Sequence, residues 1–457
     1  MRSRVTVLAV AAAIALTSAS ELSWAGVVEG GPDPLAGSRS LRDVIADAKS
    51  NPVHIVFVHG IRASGPGTSL QLRQSLCAYV KDGCVAPSTF QQRDRVDMGD
   101  MAADATFEGG KIWTSSDEWA FSRPFVDHYV FRRKSGGPIV VDEVNWWPLL
   151  FALKCRALIE TDASLVGPDS PDLATCSKDD RLLPDEANKA FYPWISAADV
   201  AAIKARPLRS GGAKRVNFTI KTQILDWGLS DAVITSGPMR YLIRRALGSA
   251  LEQVAAFDPD SPRPLDWRTS YQTNGPASAE YVVVSESLGS FAILDTFNAA
   301  GFTETRSAGT QDEAKAVEAA SAARFVVGRA YSLYFMANQF QILELARIEG
   351  IRGSDASGAG LRAWGGVRPP IPGKSGVPNE QYPKQIIAFD DPSDVLTWQV
   401  PRVDAPANQP GAPAPKVINL FVNNGFGWFG GMEWPVTAHT GYMTNPCVLG
   451  VMFNGKC

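Results

Sequence analysis

Ser285-Glu286-Ser287-Leu288-Gly289 sets a serine between small residues two positions away on either side. A serine hydroxyl is a weak nucleophile until a base takes its proton, so the run has chemical meaning only where an imidazole and an orienting acid can reach it. The supply of both is narrow. The chain has four histidines, His54, His59, His128 and His439, and Asp390, Asp391 and Asp394 crowd one short stretch. Together such groups perform acyl transfer: the proton goes to the imidazole, the oxygen attacks an acyl carbon, and a carboxylate holds the ring.

The elements that must position these groups are readable around them. Tyr281-Val282-Val283-Val284 has the apolar continuity of a strand buried on both faces, and Phe291, Leu294 and Phe297 follow at helical spacing. Strand therefore runs almost directly into helix. The join needs a sharp turn, and the small residues at 285 and 289 let neighbouring backbone approach there, pushing Ser287 outward over the helix N-terminus. Val53 to Val58 is a second strand, ending in His59-Gly60 and a loop rich in Gly, Ser and Pro before a helix from Ser69 to Val80. Ile139–Val144, Arg329–Met336, Gln385–Phe389 and Val417–Val422 read as further strands. Thr219–Gly228, Met239–Phe257 and Thr310–Val327 read as helices. The pattern predicts an α/β protein. Residues 87–137 are polar and punctuated, without sustained periodicity, and 353–383 reads mostly as loop.

The serine run resembles the nucleophile elbow of the α/β-hydrolase superfamily, usually G-x-S-x-G, with Ser285 in place of the first glycine. Val53–Val58 with His59-Gly60 looks like that family's third strand and the turn behind it. The resemblance implies an α/β-hydrolase fold over 26–457, with a mostly parallel sheet flanked by helices and a large cap inserted within about 85–275. It also implies the chain order nucleophile, acid, histidine. Only His439, in Ala438-His439-Thr440-Gly441-Tyr442, follows Ser287. The acid is Asp394, which precedes the apolar pair Val395-Leu396, with Asp391 as the alternative. The amides of Ile61 and Leu288 become the oxyanion donors, supported by His59, Gly60, Ser285 and Gly289. His59 is expected to hold its loop rather than titrate.

The activity so implied is carboxylic ester hydrolysis of esterase or lipase type, on a small-molecule or lipid ester, with no metal or cofactor. The same triad also serves amidases, peptidases and transacylases. From a different class, a catalytically silent envelope binding or scaffold protein could retain the fold. Trp146 and Trp147 either line an acyl pocket or fill a seam between core and insertion. Phe426-Gly427-Trp428-Phe429 favours an apolar acyl group, whereas Asp226 and Asp231, beside Trp227, read as a solvated helix face.

Met1-Arg2-Ser3-Arg4 is basic, Val5 to Leu16 is apolar, and Ser23-Trp24-Ala25 ends in small residues. This predicts a secretory signal peptide, residues 1–25, cleaved near Ala25; its apolar run is shorter than the ~18 residues of a membrane-spanning helix. A secreted or periplasmic protein with no transmembrane span is expected. In that setting the six cysteines are disulfides, paired by sequence proximity as Cys77–Cys84, Cys155–Cys176 and Cys447–Cys457, with other connectivities open. The formal charge of −3 and the lack of a Lys/Arg cluster give no sign of a nucleic-acid partner, and nothing specifies an oligomeric state.

Overall fold

The computed structural model describes residues 35–61, 66–80, 83–98, 106–107, 110–111, 123–154, 229–237, 239–272, 279–303, 311–345, 384–400, 415–424 and 435–457. The expected signal peptide, the Cys155–Cys176 pair, the 219–228 helix with Asp226 and Trp227, and the aromatic run at 426–429 lie outside the described residues.

The first half carries α1 (Leu41–Asp47), β1 (Val53–Val58), α2 (Leu70–Tyr79), β2 (Cys84–Val85), β3 (Gln92–Arg95) and the small pair β4 (Thr106–Phe107) and β5 (Gly110–Lys111). It continues with β6 (Phe125–Arg133), β7 (Ile139–Asn145), α3 (Trp147–Lys154), α4 (Ser230–Ser236), α5 (Arg240–Ala256) and α6 (Trp267–Gln272). The second half carries β8 (Glu280–Glu286), α7 (Leu288–Thr303), α8 (Gln311–Arg329), β9 (Ala330–Met336) and α9 (Phe340–Leu345). It closes with β10 (Gln385–Asp390), β11 (Lys416–Phe421), α10 (Pro435–Thr440) and α11 (Pro446–Asn454).

Nine strands form one mixed sheet in the order β11-β10-β9-β8-β1-β7-β6-β2, with β3 also paired to β6. Strands β7, β1, β8, β9, β10 and β11 run parallel. β6 is antiparallel to β7, and β2 and β3 are antiparallel to β6. Helices cover both faces. Val56 and Val58 of β1 point into a core with α3, α5, α7 and α8, whereas Val53, Ile55 and Phe57 point into a second core with α1, α2 and α11. This two-sided burial is why the parallel strands read as unbroken apolar runs.

Two expectations change. β1, taken for a third strand, is the first strand of the sheet among the described residues, yet it lies centrally beside β8. Within the span expected to hold an inserted cap, β3, β6 and β7 belong to the sheet, β7 where its apolar run predicts a strand, and α5 packs on its face; residues 155–228 lie outside the described residues. Asp231, read as solvated, is fully buried and ion-paired to Lys154 Nζ at 2.7 Å, joining α4 to α3.

β6 was hidden in the stretch without periodicity because its charges are internal. Asp127 receives a two-pronged bond from Arg93 on β3, with NH2 to Oδ2 at 2.6 Å. His128 donates through Nδ1 to Asp142 Oδ1 at 2.6 Å and through Nε2 to Asp94 Oδ2 at 3.2 Å, and His54 Nδ1 donates to Asp142 Oδ2 at 2.8 Å. A ring that donates from both nitrogens is an imidazolium. Burial opposes that charge, but the bonds and charges of Asp142 and Asp94 prevail and push the His128 pKa up to about 9. Each buried charge thus has a partner, which is what burial demands.

Two of the expected disulfides, Cys77–Cys84 and Cys447–Cys457, are formed. Among the described residues, no helix is long and apolar enough to cross a membrane. Both features are compatible with an extracellular or periplasmic location.

Candidate active site

The turn from β8 into α7 is as sharp as its small residues require. Ser287 has φ 51, a left-handed conformation that costs a non-glycine residue ~1–3 kcal/mol and persists only where its surroundings enforce it. Those surroundings are close. The Ser287 amide donates to the Met336 carbonyl at 2.7 Å, tying the turn to the end of β9. A Cβ on Gly60 would lie 2.6 Å from Ser287 Cβ, and one on Gly289 would lie 2.5 Å from the carbonyl oxygens of both Val58 and His59. The end of β1 therefore presses against the turn from the side. Ser285, the departure from the glycine pattern, is fully buried and donates its hydroxyl to Ser290 Oγ at 3.0 Å.

Ser287 Oγ lies 2.9 Å from His439 Nε2, and His439 Nδ1 lies 2.9 Å from Asp394 Oδ2 and 3.0 Å from Oδ1. A carboxylate only accepts, so Nδ1 carries the proton toward Asp394 and Nε2 is left as the acceptor facing the serine. His439 sits in the short helix α10 rather than on the open loop expected of it. Between the two candidate acids the contacts discriminate. Asp391 accepts the amides of Ser393 at 2.8 Å and Asn424 at 2.6 Å, which makes it a turn-former. Tyr442 links the two, accepting from the Asp391 amide at 2.7 Å and donating to Asp394 Oδ2 at 3.3 Å. Asp390 points elsewhere, accepting from Asn338 at 3.2 Å and Thr397 at 3.0 Å, and burial pushes its carboxyl up to about 7.

One group was not singled out from the sequence. Gln339 Nε2 donates to Ser287 Oγ at 3.0 Å from a buried position just past β9. Tyr442 was noticed only as part of the histidine stretch. Neither residue type carries a local signal, since a polar side chain after a strand is ordinary loop composition.

Comparison with family models, with curated proteins and with solved structures finds no match to this chain. What the arrangement can do therefore rests on its own geometry.

Ile61 follows the Gly60 turn, Leu288 opens α7, and neither amide donates to a described backbone carbonyl outside the helices and strands. These are the two positions at which the sequence expectation puts the oxyanion donors, one just past the end of β1 and one at the start of α7. The loop carrying Ile61 is held from behind. His59 Nδ1 donates to the Gly60 carbonyl at 2.8 Å, and Trp146 stacks on the His59 ring at 5.4 Å and donates through Nε1 to the His59 carbonyl at 3.1 Å. Burial drives the His59 pKa down to about 4, so the ring is a neutral brace. Trp146 and Trp147 are both buried. Glu143, at the end of β7, accepts the amide and hydroxyl of Ser69 and anchors the start of α2. Among the described residues no group of His, Cys, Asp and Glu is arranged to hold a metal ion.

Proposed function

We propose that this protein is a serine hydrolase of the α/β-hydrolase type that cleaves carboxylic esters through an acyl-enzyme. The observation that carries the reading is the unbroken relay of Ser287 Oγ, the two nitrogens of His439 and Asp394, each step at 3.0 Å or less, built on a strained strand-to-helix turn. His439 takes the hydroxyl proton as Ser287 Oγ bonds to the acyl carbon. The carbonyl electrons move onto its oxygen, which the Ile61 and Leu288 amides receive. The proton then passes to the leaving alkoxide as the carbon–oxygen ester bond breaks, and water repeats the sequence to free the acid. Asp394 fixes the imidazole tautomer and offsets the imidazolium charge.

Exposed apolar side chains on the segments that carry the acid and Gln339, namely Val395, Trp398 and Ile342, favour an apolar acyl group. A fluorophosphonate probe tests the chemistry: it should label the wild type and fail on Ser287→Ala. An unlabelled but folded wild type would leave a binding protein as the better reading. Short- and long-chain p-nitrophenyl esters then separate esterase from lipase, and anilides and acyl acceptors report amidase and transacylase activity.

A further inference from the structure

Gln339 is held as firmly as the relay residues. Its chain leaves β9 through Ala337, which has φ 53 and donates its amide to the Phe389 carbonyl at 3.3 Å. Asn338 ties the next step to the acid loop: its side chain donates to Asp390 Oδ1, and its carbonyl accepts the Trp398 amide at 3.0 Å. The Gln339 carbonyl then accepts the Leu343 amide at 3.1 Å inside α9. A buried polar side chain on a backbone tied at three points, with its amide nitrogen on the serine oxygen, has a narrow range of roles.

A serine hydroxyl has one proton to give and lone pairs to receive. The Gln339 nitrogen can only donate, so it occupies a lone pair of Oγ and leaves the proton to be given elsewhere. The acceptor on the other side is His439 Nε2. We propose that Gln339 is a further catalytic residue, which aims the Ser287 proton at His439 and supports negative charge growing on Oγ as that proton leaves. This inference rests on the serine-hydrolase reading. The proton still goes to His439 Nε2 and the Oγ–acyl bond still forms as before; Gln339 gains and loses nothing and only sets the direction.

Two variants of the full chain separate this role from packing. Gln339→Met keeps the volume and removes the donor. Gln339→Glu keeps the shape but places a carboxylate on Oγ, which accepts the serine proton and competes with His439. Fluorophosphonate labelling rates should fall about tenfold in the first and about a hundredfold in the second. With p-nitrophenyl acetate the loss should appear in kcat with KM little changed. Circular dichroism reports the fold of each. A Met variant that labels at the wild-type rate, or a Glu variant that labels as fast as the Met variant, overturns the inference while the serine-hydrolase reading stands. Loss of the folded state in both variants assigns Gln339 to packing and overturns it as well. A wild type that fails to label removes the underlying reading and this inference together.

Discussion

Asp391 and Asp394 lie three residues apart, yet their partners divide them into separate tasks. In Asp394→Asn the amide can no longer enforce the histidine tautomer, and kcat on an ester should fall about 10³–10⁴-fold while the fold persists. Asp391→Asn removes the charge that the Ser393 and Asn424 amides address. Its cost should fall on thermal stability, about 1–2 kcal/mol, with kcat within about tenfold of wild type. Kinetics and melting curves on the two variants decide, and the reverse pattern makes Asp391 the acid. Gly60 offers a second test at this scale. In Gly60→Ala the added methyl meets Ser287 Cβ and the Glu286 carbonyl, so the turn must move. The expected result is loss of probe labelling with about 1–3 kcal/mol of destabilisation. The relay itself was legible because Ser287, His439 and Asp394 each follow a strand and carry small or apolar neighbours. Gln339 was not, since its meaning lies in a contact with a residue 52 positions away.

Among the elements, β6 shows where sequence patterning stops. Phe125-Val126-Asp127-His128-Tyr129-Val130-Phe131 would have read as a strand but for its central pair, and what makes that pair tolerable lies on β1, β3 and β7. The pair has a pH signature. The His128 pKa is raised above the unfolded value of about 6.5, so its contribution to stability is complete below that pH and is lost as pH rises through about 9. The difference in melting temperature between wild type and His128→Gln should therefore be largest at pH 6 and shrink toward pH 10; a constant difference would mean that a neutral ring suffices. The Lys154–Asp231 pair makes a second prediction. Lys154→Met should cost about 3–5 kcal/mol by removing the cation that faces the buried Asp231 carboxylate, and adding Asp231→Leu should recover part of it. Chemical denaturation of the single and double variants checks this.

Across the whole molecule, the relay is assembled from the carboxyl ends of neighbouring parallel strands. β1 delivers Gly60 and Ile61, β8 delivers Ser287, β9 delivers Gln339, and the segment after β10 delivers Asp394. That edge is where ligands meet open parallel sheets. The parallel strands were legible from their apolar runs, whereas their lateral order was not, because pairing between distant segments leaves no mark within either. The two disulfides act at the opposite extreme of range, closing loops with separations of 7 and 10 residues. Opening either by paired Cys→Ala substitution should lower stability by about 2–3 kcal/mol, read from melting curves. One consequence of burial concerns measurement. His54 and His128 are sealed at 0% exposure and His59 at 1%, whereas the His439 side chain keeps 14%. A histidine-directed acylating reagent should therefore modify one site in the folded chain. The four imidazole Hε1 resonances should likewise contain a single line that shifts when Ser287 is labelled, with three silent internal standards beside it.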